Sequence, residues 1–176
     1  YLTVSMKSIE ITGKRNIDKM NNVKNPKRKN VANWKIDEYY FTYLKQIQII
    51  NSLYLEQSIE YEVLVKREIK KKINGYKNQD IQKSLINNYK IISLEQVIER
   101  LMVSKLNCFY CHGHCELLYR DVLSKKQWTL DRIDNNLGHN HDNVVISCLE
   151  CNVKRGDMDS ERFKRGKEIK IVRKLF

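Results

Sequence analysis

The chain has 176 residues, 41% of them hydrophobic and 31% charged, the balance of a folded protein rather than of a disordered one. Its formal net charge is +12, which favours an anionic partner. No apolar run approaches the roughly 18 residues that a helical membrane span requires, which excludes that class of function.

The charge gathers at the ends. Residues 1–31 carry eight Lys or Arg against two acids, giving +6, and hold the only proline, Pro26. They are polar and aperiodic, which predicts a basic arm that orders against a partner, with Lys27, Arg28 and Lys29 among its nucleic-acid contacts. From about Trp34 a helical period begins, with Ile36, Tyr40, Tyr43, Leu44, Ile47 and Ile50 on one stripe. A second helix is predicted over 55–74, with Ile59, Val63, Ile69 and Ile73 inward and Gly75 as its stop. Asp80 then reads as the N-cap of a short helix containing Ile81 and Leu85. Ser93 and Gln96 form a capping box that opens a helix burying Val97, Ile98, Leu101 and Met102. Tyr39, Tyr40, Phe41 and Tyr43 read as core, with stacking on bases as the alternative, and Lys66 to Lys72 as a solvated helix face.

The composition changes at Cys108. Strand-like runs over 128–130 and 143–147 enclose a loop rich in Asn, Asp, Gly and His, and a helical pattern returns after Cys151. Cys108 and Cys111 form one C-x2-C pair, and Cys148 and Cys151 another. Two such pairs suit a tetrahedral structural zinc with Zn–S bonds of about 2.3 Å. A redox C-x2-C opens a helix in a βαβ context, which is absent from this pattern. Disulfides fit a secreted chain, and no leader is visible after Tyr1. Four thiolates leave no open position on the metal, so any chemistry falls to other residues. Cys115, beside His112 and His114, reads as a loop bystander, with a replacement ligand as the alternative. Trp128, Leu130, Ile133, Val145 and Ile146 read as a small core around the metal.

Taken together, Cys108-Phe-Tyr-Cys111, Asp131-Arg132-Ile133-Asp134, Asn143 and Cys148-Leu-Glu-Cys151-Asn152 resemble the HNH endonuclease family and its ββα-metal fold. The D-R-I-D form is similar to HNH-type proteins of phages and large DNA viruses. The resemblance covers residues 106–160, under a third of the chain. It implies that Asp131 and Asn152 hold Mg²⁺ or a similar hard cation, which keeps several waters and binds the scissile phosphate. It also implies that Asn143 holds the loop and orients the base. The family's catalytic His position falls on Arg132, whose guanidinium stays protonated and suits a phosphate clamp rather than a base. A replacement base is a neutral imidazole. His139, which follows Gly138, ranks ahead of His141, and exposed loop histidines are the plainer reading of both. Asp134 reads as a cap of the turn with Asn135 and Asn136. Lys154 and Arg155, just past Asn152, read as contacts to the phosphate backbone.

These readings predict an α+β chain with a basic arm (1–31), a helical domain (32–105), a zinc-bound ββα module (106–160) and a basic tail (161–176). The expected activity is metal-dependent nicking or cleavage of DNA, leaving 3′-hydroxyl and 5′-phosphate ends by the resemblance. The alternative is a catalytically inactive, zinc-stabilised nucleic-acid-binding or structural protein of a virion or ribonucleoprotein particle, assembled through its arm. Both place the protein with nucleic acid, inside a cell or virion and away from membranes.

Overall fold

A computed structural model describes residues 35–85 and 90–169, with isolated positions between 10 and 21. Trp34, Lys27, Arg28 and Lys29 lie outside the described residues, as does the tail from 170 onward. No helix among the described residues is long and apolar enough to cross a membrane.

The first helical stretch is broken near its start. The Asp37 carboxylate accepts from the Tyr39 N–H and opens a single 3₁₀ turn, Glu38–Phe41, after which Thr42 is extended. Helix α1, Tyr43–Tyr54, begins only there, so the inward stripe is Gln46, Ile49, Ile50 and Leu53, and Leu44 faces out. Tyr40, Phe41 and Tyr43 pack half-buried on the core, whereas Tyr39 is exposed. Gln46 ties α1 to the following module. Its Oε1 accepts from the N–H groups of Leu117 and Leu118 at 2.5 and 3.1 Å.

Helix α2, Glu62–Gln82, is displaced from the predicted range at both ends. Tyr61 adopts a left-handed conformation (φ 64°) that turns the chain into it. Val63, expected inside, is 81% exposed, while Val65, Ile69 and Ile73 are buried. Gly75 does not stop the helix. A lone Gly costs about 1 kcal/mol relative to Ala, and the packing of Tyr76 and Asp80 beyond it outweighs that. Asp80 is therefore no N-cap but a buried residue in the last turns of α2. Helix α3, Leu94–Val103, opens on the capping box, with both of its reciprocal bonds present, and buries Val97, Ile98 and Leu101.

Strands β1, Trp128–Arg132, and β2, Val144–Cys148, pair antiparallel with Trp128 opposite Cys148 and Arg132 opposite Val144. Helix α4, Leu149–Arg155, follows β2 directly. The stretch expected as a tail is helical as far as Glu168: helix α5, Ser160–Glu168, sets Phe163 edge-on to Tyr110 at 5.1 Å. Ile133, expected in the core, lies past the end of β1 and is 41% exposed. One hydrophobic cluster runs from Ile49 in α1 through Leu101 in α3 to Leu130, Ile146 and the cysteines.

A two-stranded sheet leaves each strand an open edge whose N–H and C=O groups need partners when buried. Helix α2 covers the open edge of β1. The Leu130 N–H donates to the Tyr76 hydroxyl at 3.1 Å, and the Lys72 ammonium donates to the Trp128 carbonyl. Lys72 thus departs from the solvated face expected of its run. It sits over the rings of Tyr119 and Trp128, at 4.8 and 4.7 Å from their centroids. Burial there pushes its ammonium down to about 7.

Candidate metal centre and hairpin site

Two turns bring the cysteines together. His112, in a left-handed conformation, returns its N–H to the Cys108 carbonyl, and the Phe109 N–H docks this knuckle on the Ile146 carbonyl of β2, both at 2.9 Å. Cys148 ends β2 and caps α4, its sulfur accepting from the Cys151 N–H at 3.4 Å. The four sulfurs of Cys108, Cys111, Cys148 and Cys151 all lie within 4.8 Å of one another, and those of Cys111 and Cys148 are 4.0 Å apart. Bonds of about 2.3 Å in a tetrahedron require an edge near ~3.8 Å, so the cluster fits a structural metal ion. Three of the four cysteines are buried, and none of the five is in a disulfide. Cys115 is buried in the same hydrophobic cluster as three of these cysteines and is not one of the four that converge. His114 turns away, stacked on Tyr43 at 3.7 Å.

At the other end of the hairpin, Asn143 staples the loop. Its side-chain oxygen accepts from the Asp134 N–H at 2.8 Å, and its amide donates to the carbonyls of Asp134 and Gly138 at 2.9 and 3.0 Å. Asp134 accepts from the N–H of Asn136 at 2.9 Å, which closes the turn. Arg132 folds back over this loop and donates to the Asn135 and Leu137 carbonyls at 3.1 and 3.2 Å.

Side chains alternate along a strand, so Thr129 and Asp131 share one face of β1, and α4 lies over it. Asn152 donates to Thr129 Oγ1 at 3.1 Å, and Arg155, three residues further on and on the same side of the helix, reaches Asp131. Asp131 is buried, with both oxygens engaged. Oδ1 accepts from Arg155 Nη1 at 2.9 Å and Oδ2 from the Tyr110 hydroxyl at 2.7 Å; Ser160 Oγ lies 3.2 Å from the same hydroxyl. Burial raises the Asp131 carboxyl above its ordinary range against the opposing pull of Tyr110 and Arg155. Arg155, expected as a surface contact to phosphate, is an interior residue, its side chain 2% exposed, because this carboxylate draws it inward. Lys154 is the exposed one of the two and pairs with Glu150 at 2.7 Å.

His139 is buried at 4% exposure, far from the plain loop histidine. Asp80 holds it twice, through the His139 N–H and through Nδ1, each at 2.7 Å. Gly138 eases this approach, since a Cβ there would sit tightly against Asp80 Oδ2 at 3.1 Å and the Leu85 carbonyl at 3.3 Å. Tyr76 packs on the imidazole at 4.6 Å. His139 opens on a cavity of about 420 Å³ walled by Lys77, Leu85, Lys90 and Ile91. Asp131, Arg132 and Asn152 are not among its walls. Asn152 instead lines a cavity of about 370 Å³ with Lys72, Tyr76, Gln79 and Thr129. His141 stays at the surface beside Asp142.

The oxygen donors of Asp131 and Asn152 are the kind a hard cation takes, and a cation already lies against Asp131, namely the guanidinium of Arg155. The donor set therefore fits a divalent ion only with Arg155 withdrawn. Tyr110, Ser160 and Asp80 complete these contacts and were not foreseen. Tyr110 had a signal, as an aromatic inside the first C-x2-C; Asp80 had none. No protein-family model, no curated protein and no solved structure matches this chain.

Proposed function

We propose that the chain is an HNH-like nuclease that cuts or nicks DNA with the help of a divalent cation, its hairpin held by a zinc ion on the four cysteines. The observation that supports this reading is the packing of α4 on β1, where Asn152 meets Thr129 and Arg155 meets Asp131, next to a loop stapled by Asn143. Asp131 and Asn152 would hold the cation, which supplies charge neutralisation at the phosphate. Arg132, kept in place by two loop carbonyls, offers a fixed guanidinium fork for a phosphate oxygen pair. In this reading His139 fixes the loop rather than taking the proton, since it lines a separate cavity. The net charge of +12 supplies long-range attraction to the nucleic-acid backbone.

A second reading, a nucleic-acid-binding or structural protein without cleavage, is favoured by the engagement of both Asp131 oxygens. Nicking of supercoiled plasmid by the zinc-loaded protein with Mg²⁺, Mn²⁺ or EDTA separates the two. The nuclease reading expects cation-dependent nicking that falls at least about 10²-fold in Asp131→Ala while DNA binding persists. Salt-sensitive binding without nicking under any cation supports the second reading.

A further inference from the structure

His139 is a buried polar group to which the cleavage reading gives no chemistry. Its side chain is 5% exposed, and Asp80 Oδ1 holds Nδ1 at 2.7 Å. Burial keeps the imidazole below its ordinary value, so the ring is neutral and donates from Nδ1 to that carboxylate. Nε2 is then a lone-pair acceptor, and it has no partner among the described residues. An acceptor this far from bulk water gains a partner when a ligand offers it an N–H.

The cavity of about 420 Å³ on which the ring opens falls within the roughly 300–1,000 Å³ of small-molecule sites. Three segments fix its shape. The end of α2 brings Lys77 and Asp80, and the Leu85 N–H returns to the Asp80 carbonyl at 2.9 Å past a left-handed Ser84 (φ 54°). The stretch holding Lys90 and Ile91 is tied to the hairpin loop where the Ile92 N–H donates to the His139 carbonyl at 2.9 Å. The loop itself supplies Gly138, His139 and Asn140. Asn140 Oδ1 accepts from the N–H groups of Asp142 and Asn143 at 3.1 and 3.0 Å, which leaves its amide nitrogen as a donor without a partner among the described residues.

The lining thus combines an apolar wall of Leu85 and Ile91, an acceptor and a donor on His139 and Asn140, and the ammonium groups of Lys77 and Lys90. Asp80, the one acid in the wall among the described residues, is taken up by His139, so the lysines leave the cavity positive. A flat ring with polar edge groups and an attached anion matches all three. A benzoate-like acid lacks the edge, a sugar phosphate lacks the flat face, and inorganic phosphate lacks both. A nucleoside monophosphate has each.

We propose that this cavity is a nucleotide-binding site, with a nucleobase against Leu85 and Ile91, a base N–H donated to His139 Nε2, and the phosphate held by Lys77 and Lys90. The site is separate from the packing of α4 on β1, so it stands whether or not the chain cleaves DNA. A free mononucleotide and the phosphorylated end of a strand offer the same chemistry to it.

The test titrates the full zinc-loaded chain calorimetrically with AMP, CMP, GMP and UMP, beside their nucleosides, ribose 5-phosphate, inorganic phosphate and benzoate. At least one monophosphate is expected to bind at least about tenfold tighter than every control. Lys77→Ala combined with Lys90→Ala, both at exposed positions, should weaken that nucleotide at least about tenfold with an unchanged melt. The ¹⁵N resonance of His139 Nε2 should move on adding the nucleotide and stay still with ribose 5-phosphate. Ile91→Trp, at a half-buried position, should fill the cavity and abolish binding; should it lack a cooperative melt, the lysine pair and the Nε2 resonance carry the test. Displacement of the nucleotide by a 5′-phosphorylated single strand, but not by the same strand without its phosphate, identifies a strand end as the ligand. A nucleotide that neither strand displaces identifies the free form. Affinity for inorganic phosphate or benzoate equal to that for every nucleotide overturns the assignment, as does nucleotide binding unmoved by the lysine pair. No binding of any of the four monophosphates overturns it as well, and leaves the cleavage reading to its own plasmid assay.

Discussion

At the scale of single residues, partners decide what each side chain can do. His139 sits against a carboxylate, which alone would raise its pKa, yet burial outweighs Asp80 and holds the imidazole below its ordinary value. The neutral ring then donates from Nδ1 to Asp80, and the folded state disfavours its protonation. The unfolded chain therefore binds the proton more readily, so this contribution is complete above the ordinary His range near 6.5 and is lost as pH falls through the lowered folded value. Thermal melts of the wild type should consequently lose more stability between pH 7.5 and 5.5 than melts of His139→Gln. Equal losses would mean that His139 does not titrate with folding. The pair Lys154 and Arg155 teaches a related lesson. Both are bases on one short helix, but successive helical residues point about 100° apart, and only Arg155 faces the hairpin. Sequence places a base at each position; it does not say which one a buried carboxylate will capture.

At the scale of elements, α2 is the instructive case. The inward positions of Ile69 and Ile73 were legible, but Val63 turned outward and the helix ends were not legible, because Gly75 is a weak signal that packing overrides. The residues beyond Gly75 matter most, for Tyr76 and Asp80 carry the contacts to β1 and to the loop. Tyr76→Phe removes the acceptor for a buried N–H of Leu130 while keeping the ring on His139. The expected cost is about 1–3 kcal/mol, seen as a lower denaturation midpoint with an unchanged slope. Val63→Ala, on the exposed side of the same helix, should change stability by less than about 0.5 kcal/mol. If the two variants were equally stable, the edge-covering role of α2 would be wrong. The capping box of α3 was readable in full, since Ser93 and Gln96 complete it within four residues and need nothing from afar.

At the scale of the whole molecule, the cysteine cluster and the helices share one core, with Cys108, Cys148 and Cys151 in the same apolar cluster as Ile50 and Leu101. The four-cysteine unit is thus packed into the same core as the helices rather than appended to it. Removing the metal with a chelator, or replacing Cys148 with Ser, should unfold hairpin and helices in a single cooperative transition followed by circular dichroism. A surviving helical transition at higher temperature would show that the helices fold on their own.

The sequence by itself determined the features that close over a few residues: the two C-x2-C pairs, the hairpin strands, the capping box and the turn at Asp134. Each rests on local spacing, and local spacing is written directly in the chain. Tertiary structure alone decided that Asp131 is locked by Tyr110 and Arg155, that Asp80 grips His139, and that Lys72 and Tyr76 serve the edge of β1. Those partners stand between 21 and 59 residues apart in the chain. Burial sets their protonation and availability, and burial is a property of the packed core rather than of any short stretch of sequence.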